Sequence, residues 1–215
     1  LLVSVILRGN QPAILLFLGS AIFPWKWFSS ALASATTSVR MREQVMRQIA
    51  FPHLVLPVAS VVASLASFLF ALLPLGALYL LYPDRLTPWA LAVFPVAAVQ
   101  FLWTIPTVIV LSAVAVFFRD ISNFIPHVLR IWFYLSPALF PLEKLLALGE
   151  KHPWFGFFVA INPFTWIFSG YRNALYYGRA PEWVPLGILA LASIPAILLS
   201  VYLFRRVSPL FVKVL

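Results

Sequence analysis

Cysteine is absent from the 215 residues, which removes disulfides, thiolate nucleophiles and cysteine-ligated metals from the chemistry open to this chain. Charge is nearly as scarce: 10% of residues are ionised, and aspartate and glutamate together number 6. Those carboxylates are scattered, His53, His127 and His152 show no ligand spacing, and no glycine-rich stretch could cradle a phosphate. A metal site, a nucleophilic active site and an intrinsic ATPase are therefore not expected. Any ATP hydrolysis that drives this protein must come from another polypeptide. The period-two alternation that marks a membrane β-barrel is also lacking.

What is present is apolar surface. Hydrophobic residues make up 63% of the chain, more than a soluble core of this length can bury. Lipid is the expected solvent, and helices are the spanning form, about 20 apolar residues for a hydrocarbon layer of about 30 Å. The formal charge of +9 does not point to nucleic acid, because the basic residues lie scattered between apolar runs. They read as topology signals, and the fold class is all-α integral membrane.

After the polar break Arg8, Gly9, Asn10 and Gln11, Pro12 can open a helix whose apolar residues continue to about Ala35. The second crossing lies in the run 49–82, too long for a simple crossing and calling for tilt or a break near Pro57 or Pro74. The third lies in 86–118 and ends at Arg119 and Asp120; the fourth, in 121–142, is interrupted by Pro126, His127, Arg130 and Pro137; the last lies in 184–204, before Arg205, Arg206 and Lys213. Residues 143–183 hold two short apolar pieces, 154–161 and 164–170, neither long enough to cross. An extra crossing there would separate Arg205, Arg206 and Lys213 from Arg40, Arg42 and Arg47, against the positive-inside rule. The expected topology puts these clusters and Arg119 in the cytoplasm, and Asp84 and residues 143–183 outside, the latter as a pair of short helices dipping into the outer leaflet. The run 1–7 is too short to span, so an N-terminal piece is expected to be missing. No repeat or linker divides the chain, which reads as one domain.

Residues 38–49 have the pattern of a short amphipathic helix: Met41, Val45 and Ile49 recur at i,i+4, and Glu43 and Arg47 form an i,i+4 ion pair. The stretch Arg40, Met41, Arg42, Glu43, Gln44, Val45 and Arg47 is either a coupling element docked in a cytoplasmic partner or an interfacial helix whose arginines meet anionic lipid. Lys26 and Arg130 fall at membrane depth, where ionisable groups are costly and are site candidates by default. Lys26, flanked by Trp25 and Trp27 and followed by Phe28, can bind a phosphate or sugar or can snorkel at a kink. Arg130 lines a conduit for an anionic head group, or marks a helix that starts later. Trp103, Trp132 and Tyr134 can stack on sugar rings or belong to an interfacial aromatic belt. In the second crossing Ala59, Ser60, Ala63, Ser64, Ala66 and Ser67 form a small-residue face suited to helix packing.

Four stretches carry a family likeness: Phe23-Pro24-Trp25-Lys26-Trp27-Phe28-Ser29-Ser30-Ala31-Leu32; residues 47–57, with Phe51-Pro52-His53; Phe118-Arg119-Asp120-Ile121 through Trp132-Phe133-Tyr134-Leu135-Ser136-Pro137; and Ile161-Asn162-Pro163-Phe164 through Tyr171-Arg172-Asn173-Ala174. In order and spacing the chain resembles the permease subunits of type-2 ABC exporters, in the branch that exports O-antigen, teichoic acid and related glycans. The resemblance implies a homodimer of six-span subunits in the bacterial cytoplasmic membrane, five spans being complete here and the first truncated. It implies two copies of a separate ABC ATPase that carries the ATP and Mg, no cofactor on this chain, and no nucleic acid. It places the coupling helix on residues 38–49 and a sugar-accommodating channel at the permease interface. Lipid-linked glycan is the implied substrate: the basic rim of Arg40, Arg42 and Arg119 would attract its pyrophosphate, and aromatic side chains would face its sugars. An exporter of a drug or other small hydrophobic molecule would share the topology. A membrane-embedded transferase would need clustered acidic or histidine residues, and the sequence has none.

Overall fold

The computed structural model describes residues 13–41, 53–118 and 120–214, and the described residues form helices and turns with no strand. The helices are α1 (Ile14–Met41), α2 (Val55–Ala77), α3 (Val93–Phe117), α4 (Ile121–Leu135), α5 (Leu142–Lys151), α6 (Pro153–Ile161), α7 (Pro163–Arg172) and α8 (Trp183–Val214). Short 3-10 turns at Leu78–Leu80, Pro83–Arg85 and Pro88–Ala92 join α2 to α3, and a π-helical turn, Asn173–Tyr177, follows α7. Among the described residues four helices are long and apolar enough to cross a membrane, over Ile14–Thr37, Val55–Leu80, Pro88–Phe117 and Trp183–Phe211.

Proline placement explains how the long second run is handled. Pro57 falls in the first turn of α2, where its missing N–H costs no intrahelical bond. Pro74 lies inside the helix, which tightens into a 3-10 turn a few residues later and stops. The last helix differs from expectation in the other direction. It continues past Arg205 and Arg206 to Val214, because arginine heads can reach water while the backbone stays helical.

Contacts along the helices fix their directions. Gly19 of α1 meets Leu75 of α2, Trp27 stacks on Phe68, and the Ser60 hydroxyl lies 3.5 Å from the Ala31 carbonyl, so α1 and α2 are antiparallel. Of the small-residue face on α2, Ser60 and Ser64 turn inward and Ala59, Ala63, Ala66 and Ser67 are exposed. Val96 of α3 and Leu186 of α8 pack on the same glycine, Gly170, and Phe117 meets Phe211 at the opposite end, so α3 and α8 run parallel. Parallel neighbours separated by α4 require α4 to return the chain once, with residues 142–182 staying on the side where α4 delivers them. One end of the bundle, marked by Phe211, therefore carries the C-terminus of α1, Asp120, Arg205 and Arg206. The other, marked by Tyr79, carries Asp84 and the short helices. This is the grouping of charges that the positive-inside argument required.

α4 is shorter than the expected fourth crossing. It has 15 residues and ends at Leu135, a rise of about 22 Å against a hydrocarbon core of about 30 Å. The rest of the distance belongs to an irregular segment and a re-entrant hairpin. α6 and α7 meet at Asn162, and Phe164 at the start of α7 packs on Trp25 and Phe28, halfway along α1, while Arg172 at its end lies over Phe17. The hairpin thus dips to mid-depth and climbs out again. Asn162 caps α7 by accepting from the Phe164 N–H at 3.1 Å, accepts from the Trp132 indole at 3.2 Å, and donates to the Ser136 hydroxyl at 2.9 Å. Between α5 and α6 the backbones touch at Gly149 and Gly156, where a side chain on either would strike the other's main chain.

The π turn closes on Gly178, whose φ of 64° is left-handed and whose missing Cβ would lie 2.8 Å from Thr87. Gly178→Ala is expected to destabilise the protein by about 1–2 kcal/mol from the left-handed backbone alone, read as a lowered unfolding midpoint in detergent by scanning fluorimetry.

Candidate functional site

Lys26 occupies the middle of the span Ile14–Thr37, two residues after a proline that lies within α1. The neighbouring carbonyl is held from the other side: buried Gln100 of α3 donates to the Pro24 carbonyl at 2.8 Å. Around this turn the aromatic residues go inward. Trp25 is the hub of a ring cluster, 4.9 Å from Phe164, 5.5 Å from Phe28 and Phe133, and 6.1 Å from Trp132 between centroids. Trp27 stacks on Phe68 at 5.0 Å with an interplanar angle of 18°. Phe28 is fully buried. Lys26 alone of the four turns out of the packed interior.

Arg130, from α4, is also exposed, and it lines the same cavity as Lys26. That cavity holds about 510 Å³ and is walled on the α1 side by Ser29, Ser30 and Ser34 as well as Lys26. No carboxylate lines it. Among the described residues neither cationic side chain has a hydrogen-bond or ion-pair partner. A charge near the bilayer centre costs about 2.5–3.5 kcal/mol on insertion scales, and such residues face cavities or partners. Two cations from helices distant in sequence, opening on one hydroxyl-lined cavity, form an anion-attracting site.

The other side of α4 is different in character. A second cavity of about 480 Å³ lies between α3, α4 and α8, and its lining is almost wholly apolar, with Trp103 and Trp132 among its walls. Leu129 of α4 belongs to both cavities. Trp103 and Trp132 are half-buried, and Tyr134 is 53% exposed. Arg40 and Met41 form the last turn of α1. The remaining expected coupling residues, Arg42, Glu43, Gln44, Val45 and Arg47, and the rim residue Arg119 lie outside the described residues.

Sequence reasoning missed the structural weight of Arg172. Its guanidinium is buried and donates to the carbonyls of Pro137 at 2.9 Å, Phe140 at 3.0 Å and Ala138 at 2.8 Å, and it lies 3.8 Å over the Phe17 ring. An arginine is not deprotonated in a protein, so this is a buried charge held by neutral carbonyls and a ring face. The available signal was a lone cation between aromatic and small residues, which does not say that three carbonyls would converge on it.

A family model described as "ABC-2 type transporter" matches residues 4–176. The O-antigen export system permease protein RfbA of Myxococcus xanthus is 30% identical over 214 residues, covering 96% of this chain and 78% of that protein. A protein of the same description from Klebsiella pneumoniae is 24% identical over 213 residues, covering 99% of this chain and 80% of that one.

Burial separates the aromatic candidates by experiment. Phe28→Ala is expected to cost about 3–5 kcal/mol of stability, whereas exposed Tyr134→Ala should stay within about 0.5 kcal/mol. Thermal unfolding of both variants in the same detergent checks the difference.

Proposed function

Because this chain belongs to the ABC-2 type transporter family, we propose that it is the membrane-spanning subunit of an ATP-driven exporter that moves lipid-linked polysaccharide outward across the bacterial cytoplasmic membrane. The observation that carries this reading is that relatives aligned over nearly all of the chain are O-antigen export permeases. An exporter of small hydrophobic molecules fits the topology equally but has no such relative in its favour. The protein is a transport component and performs no covalent chemistry. ATP is hydrolysed on a separate ABC subunit, present in two copies against a permease homodimer.

The mechanism follows from where the charges lie. α1 ends at the Phe211 end of the bundle, and the segment after it, through Arg47, has the amphipathic pattern of a docking helix. ATP-driven closure of the partner subunits pushes on this segment. α1 transmits the push as a rod to its aromatic hub at Trp25, against which α4 and α7 pack, and the dimer interface opens for the glycan. The basic rim of Arg40, Arg42 and Arg119 draws in the pyrophosphate end of the carrier, and exposed Tyr134 offers a flat surface to sugars.

Deletion of the gene is expected to abolish surface polysaccharide with the lipid-linked precursor accumulating inside; unaltered surface glycan would refute the reading. Arg42→Glu combined with Arg47→Glu is expected to reduce recovery of the ATPase subunit with the tagged permease about tenfold, as loss of charge pairs across an interface does, with membrane levels of the permease unchanged on immunoblots.

A further inference from the structure

The two cavities lie on either side of Leu129, the one residue that lines both. α1 contributes Lys26 and three serines to the polar one and Leu32 to the apolar one; α4 contributes Arg130 to the first and Val128 to the second. A free inorganic anion would need the polar cavity alone. A ligand with a charged head and a hydrocarbon tail would use both, and each volume lies within the range of about 300–1,000 Å³ typical of small-molecule sites.

We propose that Lys26 and Arg130 form a binding site for the phosphate-bearing head of the polyprenyl carrier, with the start of its chain in the groove lined by Leu32, Trp103, Val110, Val128 and Leu199. This deepens the export reading and rests on it for the identity of the carrier. The head is identified by charge: two cations without a carboxylate in the wall match a group bearing two or more negative charges, and the serine hydroxyls can donate to its remaining oxygens. The arginine fork suits bidentate phosphate contact, and lysine acts as a point charge. The tail is identified by the apolar lining on the far side of Leu129. A mid-depth site of this kind would hold the carrier's head inside the membrane while the glycan is threaded, rather than at the cytoplasmic rim.

The test uses the full-length permease in neutral detergent and follows tryptophan fluorescence during titration with farnesyl pyrophosphate, farnesol and inorganic pyrophosphate. Farnesyl pyrophosphate should bind at least about tenfold more tightly than either fragment. Lys26→Gln and Arg130→Gln should each weaken it about tenfold, Lys26→Arg should retain it, and Val128→Trp, which fills the groove, should weaken farnesyl pyrophosphate without affecting inorganic pyrophosphate. Since both cations are exposed, the amide variants should elute as the parent does on size exclusion. If one does not, the parent protein alone is decisive: raised salt should weaken farnesyl pyrophosphate and leave farnesol unchanged. Unaltered binding in the charge variants, salt-independent binding, or equal affinity for inorganic pyrophosphate overturns the proposal. So does displacement by phosphatidylglycerol, but not phosphatidylcholine, at concentrations equal to those of farnesyl pyrophosphate, which would assign the site to bulk anionic lipid. Failure here with surface polysaccharide still lost on gene deletion sinks the binding site and leaves the exporter; intact surface polysaccharide on deletion sinks the exporter, whatever the titrations give.

Discussion

Water is missing where this chain interrupts its helices, and every interrupted carbonyl and amide must therefore find a partner within the protein. The segment after α4 is the clearest case. Three carbonyls between Pro137 and Phe140 point at one guanidinium, that of Arg172, and the tip of the re-entrant hairpin gives its amide to Ser136 and takes the Trp132 and Phe164 N–H groups. Without Arg172 and Asn162 the chain could not stop α4 short of the far surface. With them, α6 and α7 can enter and leave on the same side. Among the described residues this buried arginine makes no ion pair, the nearby Glu143 being paired with Arg179, so the Phe17 ring beneath it supplies part of the compensation.

The aromatic hub has a related function. Rings from α1, α4 and α7 meet around Trp25, and edge-to-face pairs add about 0.5–1.5 kcal/mol each beyond their burial. The hub joins the helix whose end leads toward the proposed coupling segment to the two elements that close the outer half. In the proposed export cycle a push along α1 would reach α4 and α7 directly, whereas α8, whose outer face is rich in exposed Leu, Ile and Val, is placed to meet lipid.

Much of the fold was legible because lipid imposes a simple rule on sequence. Apolar runs bounded by arginines located α1, α2, α3 and α8, and charge parity located the short outward helices. Lengths were less legible. Arg205 and Arg206 looked like the end of the last span, but a helix need not stop where its side chains reach water. Leu135 was not an evident stopping point for α4, because the Arg172 contacts that allow the stop come from a residue far along the chain. At the site, the cost of a charge in hydrocarbon singled out Lys26 and Arg130, and the structure brings them to one cavity. The same reasoning did not distinguish Trp27 and Phe28, because composition gives a ring the same value in a core as on a channel wall. Periodicity left residues 38–49 open between a docked and a lipid-facing helix, the family resemblance placed the coupling role there, and the part beyond Met41 lies outside the described residues.

The position of Lys26 bears on how the protein is made. Of the four long helices, α1 is the least hydropathic and the most enclosed by protein, and it emerges from the ribosome before the other three. A nascent helix with a lysine at its centre partitions weakly from the translocon into bilayer, and the residues that enclose this one, on α2, α3, α4 and α7, have yet to be synthesised. α1 therefore gains these contacts only as the later segments arrive to receive it. The residue proposed to meet a charged cargo in the finished transporter is thus also one that ties the order of its assembly to the order of its translation.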